Sequence, residues 1–117
     1  MLSHKEVWKT WDRAWDKGLT DHERLEHLQQ CTAPGFVYTN PDTQISDDLP
    51  GLAKYISQAI AAAGDSAQVK HVDWAEKDSE GVSRWNMVDV KAETTLEGRS
   101  YGKYDADGKL VSAESQY

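Results

Sequence analysis

The spacing of apolar residues changes once along the chain, near Gln68, and this change limits the fold more than any other feature. Before it, apolar groups recur every three or four residues, the spacing of one helical face. After it they alternate, and turn-forming clusters at "DSEG", around "ETT" and at "DADG" cut the remainder into four strands joined as hairpins. Helices that each have one apolar stripe, followed by a meander with one apolar face, make an α+β chain whose helices pack on the sheet.

Val7, Trp8, Trp11, Ala14 and Trp15 form a stripe that predicts a helix over residues 4 to 17, stopped by Gly18. Thr20 followed by Glu23 is a capping-box pattern opening a second helix, with Leu25 and Leu28 on its buried side and Pro34-Gly35 beyond its end. A third follows Asp47-Asp48, carries Leu52, Tyr55, Ile56, Ala59 and Ile60 on one side, and stops at Gly64. Between the second and third lies a short strand in "FVYTNPDTQ", halted by Pro41 just after Asn40. The 117 residues suit a single core-bearing domain over 1–117, without repeats or linkers.

Residues directly opposite in an antiparallel pair share a face, so the turns predict a register. "DSEG" as the first turn sets Trp74 opposite Trp85 and Val72 opposite Met87. Glu93-Thr94 as the second sets Met87 opposite Ser100 and Trp85 opposite Gly102, and "DADG" then sets Ser100 opposite Ala113 and Gly102 opposite Val111. One face gathers Val72, Trp74, Trp85, Met87, Asp89, Ser100, Val111, Ala113, Ser115 and Tyr117, and the helices must cover it. The other, with His71, Asp73, Arg84, Asn86, Val88, Val90, Arg99, Tyr101 and Lys103, meets water or another subunit. A curved sheet closed by helices leaves a cavity, and Gly98, Ser100, Gly102 and Ala113 are expected to make room in it.

Thirteen basic against twenty acidic residues give a net charge of -7, which argues against nucleic acid or an anionic membrane as partner. Cys31 is alone, so a disulfide framework and a zinc spacing are both excluded. With no apolar run of signal-peptide or membrane-span length, the cytoplasm is the expected compartment. His4, His22, His27 and His71 fall on different elements without ligand spacing, and no Gly-rich loop opens a helix after a strand. Neither a metal nor a cofactor is therefore expected.

The element order, together with "W..AW..G", "VYTNP", "GLAKYI" and "YDADGKLVS", resembles the nuclear transport factor 2-like superfamily, in particular its SnoaL-like small bacterial proteins. The resemblance implies a cone-shaped curved antiparallel sheet packed against three N-terminal helices, a cystatin-like roll, and a homodimer through the open sheet face. The superfamily includes isomerases, dehydratases, hydrolases, polyketide cyclases and noncatalytic modules, so it does not fix a chemistry. Matched to ketosteroid isomerase, Asn40 stands at the carboxylate base, Trp11 at the tyrosine and Ser100 at the second acid. None of the three can take over the role it occupies, which argues against steroid-type isomerisation. Matched to limonene epoxide hydrolase, Tyr38, Asn40 and Asp89 correspond to the water-holding half, while Met87 and Ser115 stand where an arginine and an aspartate belong.

Two expectations follow for the site. Trp11, Trp15, Tyr38, Tyr55, Trp74 and Trp85, with Asn40, Met87 and Ser100, are predicted to line a pocket for an apolar or weakly polar, ring-bearing small molecule. Asp89, the one carboxylate on the predicted inner face of the central strands, is the candidate base for a hydrolase or hydratase, using water held by Tyr38 and Asn40. Its competing role is an ion pair at the strand end beside Lys70 and Lys91. Asp12 and Asp16, flanking the tryptophan stripe, are expected to face water, within reach of the cavity mouth. A noncatalytic interaction module is the remaining class.

Overall fold

The computed structural model describes residues 2–77 and 80–117. Three helices, α1 (His4–Arg13), α2 (Asp21–Cys31) and α3 (Leu49–Ala63), cover one face of a curved, unclosed sheet. The sheet is built from β1 (Thr32–Asn40), β2 (Thr43–Ser46), β3 (Ala67–Lys77), β4 (Glu80–Asp89), β5 (Thr94–Tyr104) and β6 (Leu110–Gln116), in the order β2-β1-β6-β5-β4-β3. The meander β3 to β6 is antiparallel, whereas β1 runs parallel to β6 and β2 folds back on β1 around Pro41. Parallel pairing of strands distant in sequence leaves no local turn signal.

Local chemistry sets the helix ends. The Thr20 hydroxyl accepts from the Glu23 amide and the Glu23 carboxylate from the Thr20 amide, the capping box expected for α2. Asp48 caps α3 through the Gly51 amide, and Gly64 ends it at φ +92°, a conformation that glycine adopts without strain. By contrast α1 stops at Arg13, short of Gly18, in a tightened turn. The cause is distant in sequence: Arg24, only 2% exposed, donates to the carbonyls of Ala14 and Asp16, both at 2.7 Å, and so takes acceptors at the end of α1.

The core joins Trp8 and Trp11 of α1, Leu28 and Cys31 of α2, Phe36 and Tyr38 of β1, Leu52 and Ile56 of α3, and Leu110 and Ala113 of β6. Burial pushes the Cys31 thiol up to about 12, so it packs as an inert apolar group.

The predicted register needs correction at each hairpin. Asp78 and Ser79 of the first turn lie outside the described residues, but Lys77 stands opposite Glu80 and Trp74 opposite Ser83, not Trp85. The pairing then slips between His71 and Asp73, leaving Val72 unpaired and half exposed rather than on the inner face. This bulge sets His71 opposite Trp85 and Val69 opposite Met87. At the second turn Asp89 faces Thr94, so Trp85 meets Gly98 and Met87 meets Leu96. At the third, Ser100 faces Ser115 and Gly102 faces Ala113. The bare positions admit tryptophan rather than empty space: a Cβ at Gly98 would lie 2.3 Å from the Trp85 ring, and one at Gly102 2.5 Å from Trp8. On the outer face Asp73 and Arg84 are cross-strand partners, with the guanidinium donating to both carboxylate oxygens.

Candidate functional site

Between the helices and the inner sheet face lies a cavity of about 210 Å³. Its walls are mostly rings: Trp11 from α1, Trp15 just after it, Tyr38 from β1, Tyr55 from α3, Trp85 from β4, and Tyr117 beyond β6. Tyr38 is the hub, its ring centroid 5.9 Å from Trp11, 5.9 Å from Trp15 and 6.1 Å from Tyr55, all tilted contacts. Val69, Met87 and Leu96 complete the apolar wall. Leu96 and Tyr117, each nearly half exposed, mark its open side.

A polar thread crosses this wall. Asn40 Oδ1 accepts the backbone amides of Asp42 and Thr43, both at 2.9 Å. Because those donors are unambiguous, the orientation of the amide is fixed and its two N–H groups must point the other way. They donate to the hydroxyls of Tyr55, at 2.7 Å, and Tyr38, at 3.2 Å. Each tyrosine oxygen is thereby an acceptor toward Asn40, and its own proton is left to donate elsewhere. The Tyr38 hydroxyl has Ser115 as a neighbour, and Ser115 Oγ lies 2.9 Å from Ser100 Oγ, which accepts from Trp85 Nε1 at 3.0 Å. The Tyr55 proton has no acceptor among the described residues, so it is available to a guest in the cavity.

A second polar group sits in the same lining. Asp12, in the last turn of α1, has Oδ1 3.3 Å from His71 Nδ1 on β3. The side chains are 21% and 34% exposed, which places the pair at the cavity's edge. Burial, helped by nearby Asp16, pushes the Asp12 carboxyl up to about 7, while burial holds His71 below the usual imidazole range. Each shift disfavours the charged form, so neither group supplies a full ion pair near neutral pH.

Of the expected lining residues, the fold gathers Trp11, Trp15, Tyr38, Asn40, Tyr55, Trp85, Met87 and Ser100 around the cavity, and leaves out Trp74 and Asp89. Trp74 packs instead against the core at the far end of the sheet. There its Nε1 is buried without a partner among the described residues, near a Tyr104 hydroxyl that already accepts from Trp8. Asp89 caps the turn after β4: its Oδ1 accepts from Ser66 Oγ at 2.8 Å and from the amides of Lys91 and Ala92, each at 3.1 Å. These bonds hold its carboxyl below the ordinary carboxylate range, the opposite of what a base at neutral pH requires. The strand-end role for Asp89 is thus the observed one, with Ser66 and backbone amides in place of Lys70.

From sequence, Asp12 was expected in water within reach of the cavity mouth and His71 on the outer sheet face; the structure puts both in the lining. Helical spacing contained a signal for the first, since Asp12 lies four residues after Trp8 and three before Trp15, on the edge of the inward stripe. Its charge had argued for water. No signal existed for His71, because the bulge that turns it inward depends on pairing with β4.

No family model and no curated protein matches the sequence. Solved structures do match over nearly its full length. A candidate isomerase of the SnoaL-like family from Agrobacterium tumefaciens aligns with 99% of this chain and 97% of its own, at 15% identity and a TM-score of 0.79. A candidate polyketide cyclase from Sinorhizobium meliloti aligns over 95% and 94%, at 12% identity and a TM-score of 0.72. An NTF2-like protein of unknown function from Cytophaga hutchinsonii covers 98% of this chain, with 89% of its own length matched, 8% identity and a TM-score of 0.66. At such identities the likeness establishes architecture alone: the chain has the nuclear transport factor 2-like, cystatin-like α+β fold of the SnoaL-like proteins.

Proposed function

We propose that the cavity binds a small, neutral, ring-bearing molecule that carries an acceptor oxygen. The observation that supports this most directly is the Asn40 amide, which commits the Tyr38 and Tyr55 oxygens as acceptors on an otherwise aromatic wall and leaves the Tyr55 O–H to donate. Aromatic walls suit a flat ring, and a fixed O–H donor suits a carbonyl, ether or phenol oxygen. An anionic guest would find no cationic lysine or arginine in the lining.

The test is a thermal-shift and tryptophan-fluorescence screen with 1-indanone and indane, which differ only in the oxygen. Binding to the native state raises the melting temperature. Tyr55→Phe is expected to weaken 1-indanone by about fivefold, the effect of one hydrogen bond of ~1 kcal/mol, and to leave indane unchanged. A flat response to a broad set of ring compounds, or a clear preference for a quaternary ammonium ring compound, would sink this reading.

Two further parts belong to the same proposal. A second copy of the chain covers the outer sheet face around Val88, Val90 and Tyr101, and the protein works in the cytoplasm; sedimentation as a monomer at micromolar concentration would remove the first. No helix among the described residues is long and apolar enough to cross a membrane.

A further inference from the structure

A second, smaller void of about 40 Å³ adjoins the main cavity. Three side chains line both: Trp15, Val69 and Met87. Val69 and Met87 stand directly opposite each other on β3 and β4, so they make a floor that runs under both spaces. Trp15 comes from the turn after α1, in the helix layer, and its ring stands between the two spaces. We propose that Trp15 is a movable gate, and that the site takes a ring compound with an unbranched apolar tail that passes Trp15 into the second void. The inference rests on the binding reading above and extends it to the shape of the guest.

The backbone around Trp15 is held in place, whereas its ring is not. Arg24 donates to the carbonyls on either side of it, Ala14 and Asp16, both at 2.7 Å. Lys17 Nζ ties the same turn to the end of α3, donating to the Gly64 and Asp65 carbonyls at 3.2 and 2.8 Å. The Trp15 ring is half-buried and meets Trp11 and Tyr38 in tilted contacts, with centroids 6.3 and 5.9 Å away. Trp8 and Trp85 are each fixed by a hydrogen bond from Nε1, to Tyr104 and to Ser100; no such bond holds Trp15 among the described residues. The ring can therefore change rotamer while the turn that carries it stays still.

The walls of the second void set the nature of the tail. Tyr55, Ala59 and Ala63 recur every four residues on α3, so one helix face roofs both spaces, and it shrinks from a ring to a methyl group toward the smaller one. Ile60 and Ala67 add to the apolar wall, while Asp16, Lys17 and Gln68, all exposed, mark the outer rim. Water in a mainly apolar space of this size has few partners, and an apolar chain gains by replacing it. A charged end would meet Asp16 and Lys17 together, which favours neither sign. An unbranched chain is the shape that passes between an indole edge and the floor of Val69 and Met87.

Acetophenone and hexanophenone share a ring and a carbonyl and differ only in the length of an unbranched tail. Each buried CH₂ is worth about fourfold in affinity, so tryptophan quenching should show hexanophenone binding at least about tenfold more tightly. Ala63→Phe fills the second void from a partly exposed position that does not line the main cavity. It should remove most of that gap and leave acetophenone unchanged. An equal gap in wild type and variant would mean that the tail leaves by the open side beside Leu96 and Tyr117, and would overturn the proposal. No gap in the wild type, with acetophenone bound, refutes the gate and leaves the binding reading intact. The absence of quenching by either ketone and by 1-indanone refutes both. If Ala63→Phe does not fold, a crystal of the wild type with 6-bromohexanophenone decides by the anomalous signal of bromine. Bromine beside Ala63, with the Trp15 ring turned away from Tyr38, supports the gate, and bromine at any other place overturns it.

Discussion

Replacing Asp12 by asparagine should stabilise the protein at alkaline pH, and the size of the effect follows from the site. Burial between α1 and the sheet, with Asp16 close by, lifts the carboxyl from 3.8 to about 7. The folded chain therefore holds a proton that the unfolded chain has released. At about 1.4 kcal/mol per pKa unit, the full penalty of ionising Asp12 in the fold is ~4 kcal/mol. The sign is that of a raised group: its contribution is fully present below 3.8 and is lost as pH rises through about 7. Most of the accessible change, ~3 kcal/mol, falls between pH 5 and pH 8. His71 works in the opposite direction. Its folded value lies below 6.5, so its contribution is present above 6.5 and lost as pH falls. Because His71 is present in both proteins, that part largely cancels in the difference between wild type and variant. The asparagine side chain keeps the shape and has no charge to bury. Urea unfolding at a series of pH values from 5 to 8 should show the variant gaining on the wild type by ~3 kcal/mol, roughly 10 °C in melting temperature for a chain of this length. A gap that does not change with pH would refute the burial argument.

Further outcomes are expected elsewhere. Asn40→Ala removes two backbone caps and two tyrosine contacts at once and should cost ~2–4 kcal/mol in urea unfolding, with weakened discrimination between 1-indanone and indane. Gly102→Ala should destabilise by ~1–3 kcal/mol, because its Cβ would meet Trp8 and Leu110 in the packed core. Gly98→Ala should instead displace the Trp85 ring at the cavity wall, and a changed affinity for ring compounds is the readout. Asp89→Asn should leave the binding of ring compounds intact. Its carboxylate is held below the usual range by Ser66 and two amides, so the stability it provides is present above 3.8 and lost as pH falls through the lower folded value. Lost binding in Asp89→Asn would contradict its placement outside the cavity.

Much of this architecture was legible along the chain because its determinants are local. A capping box at Thr20 and Glu23, a cap at Asp48, a stop at Gly64 and a change of period near Gln68 each act within a few residues, and each appears in the fold where the sequence puts it. The aromatic inventory of the cavity was readable for the same reason, since Trp11, Trp15 and Tyr55 ride on helical stripes and Tyr38 alternates on a short strand. The Asp12–His71 contact was not. Asp12 is buried because helix and sheet close over it, and a carboxyl read alone belongs in water. His71 turns inward, and Trp74 and Asp89 fall outside the cavity, because strand register is a pairwise property: one bulge and two shifted turns change which residue meets which. Residues alone determined the elements, the fold class and the aromatic character of the interior, through short-range periodicity and capping. Only the tertiary structure decided which titratable groups share the cavity and in which protonation state, because desolvation and pairing depend on neighbours that come from other elements.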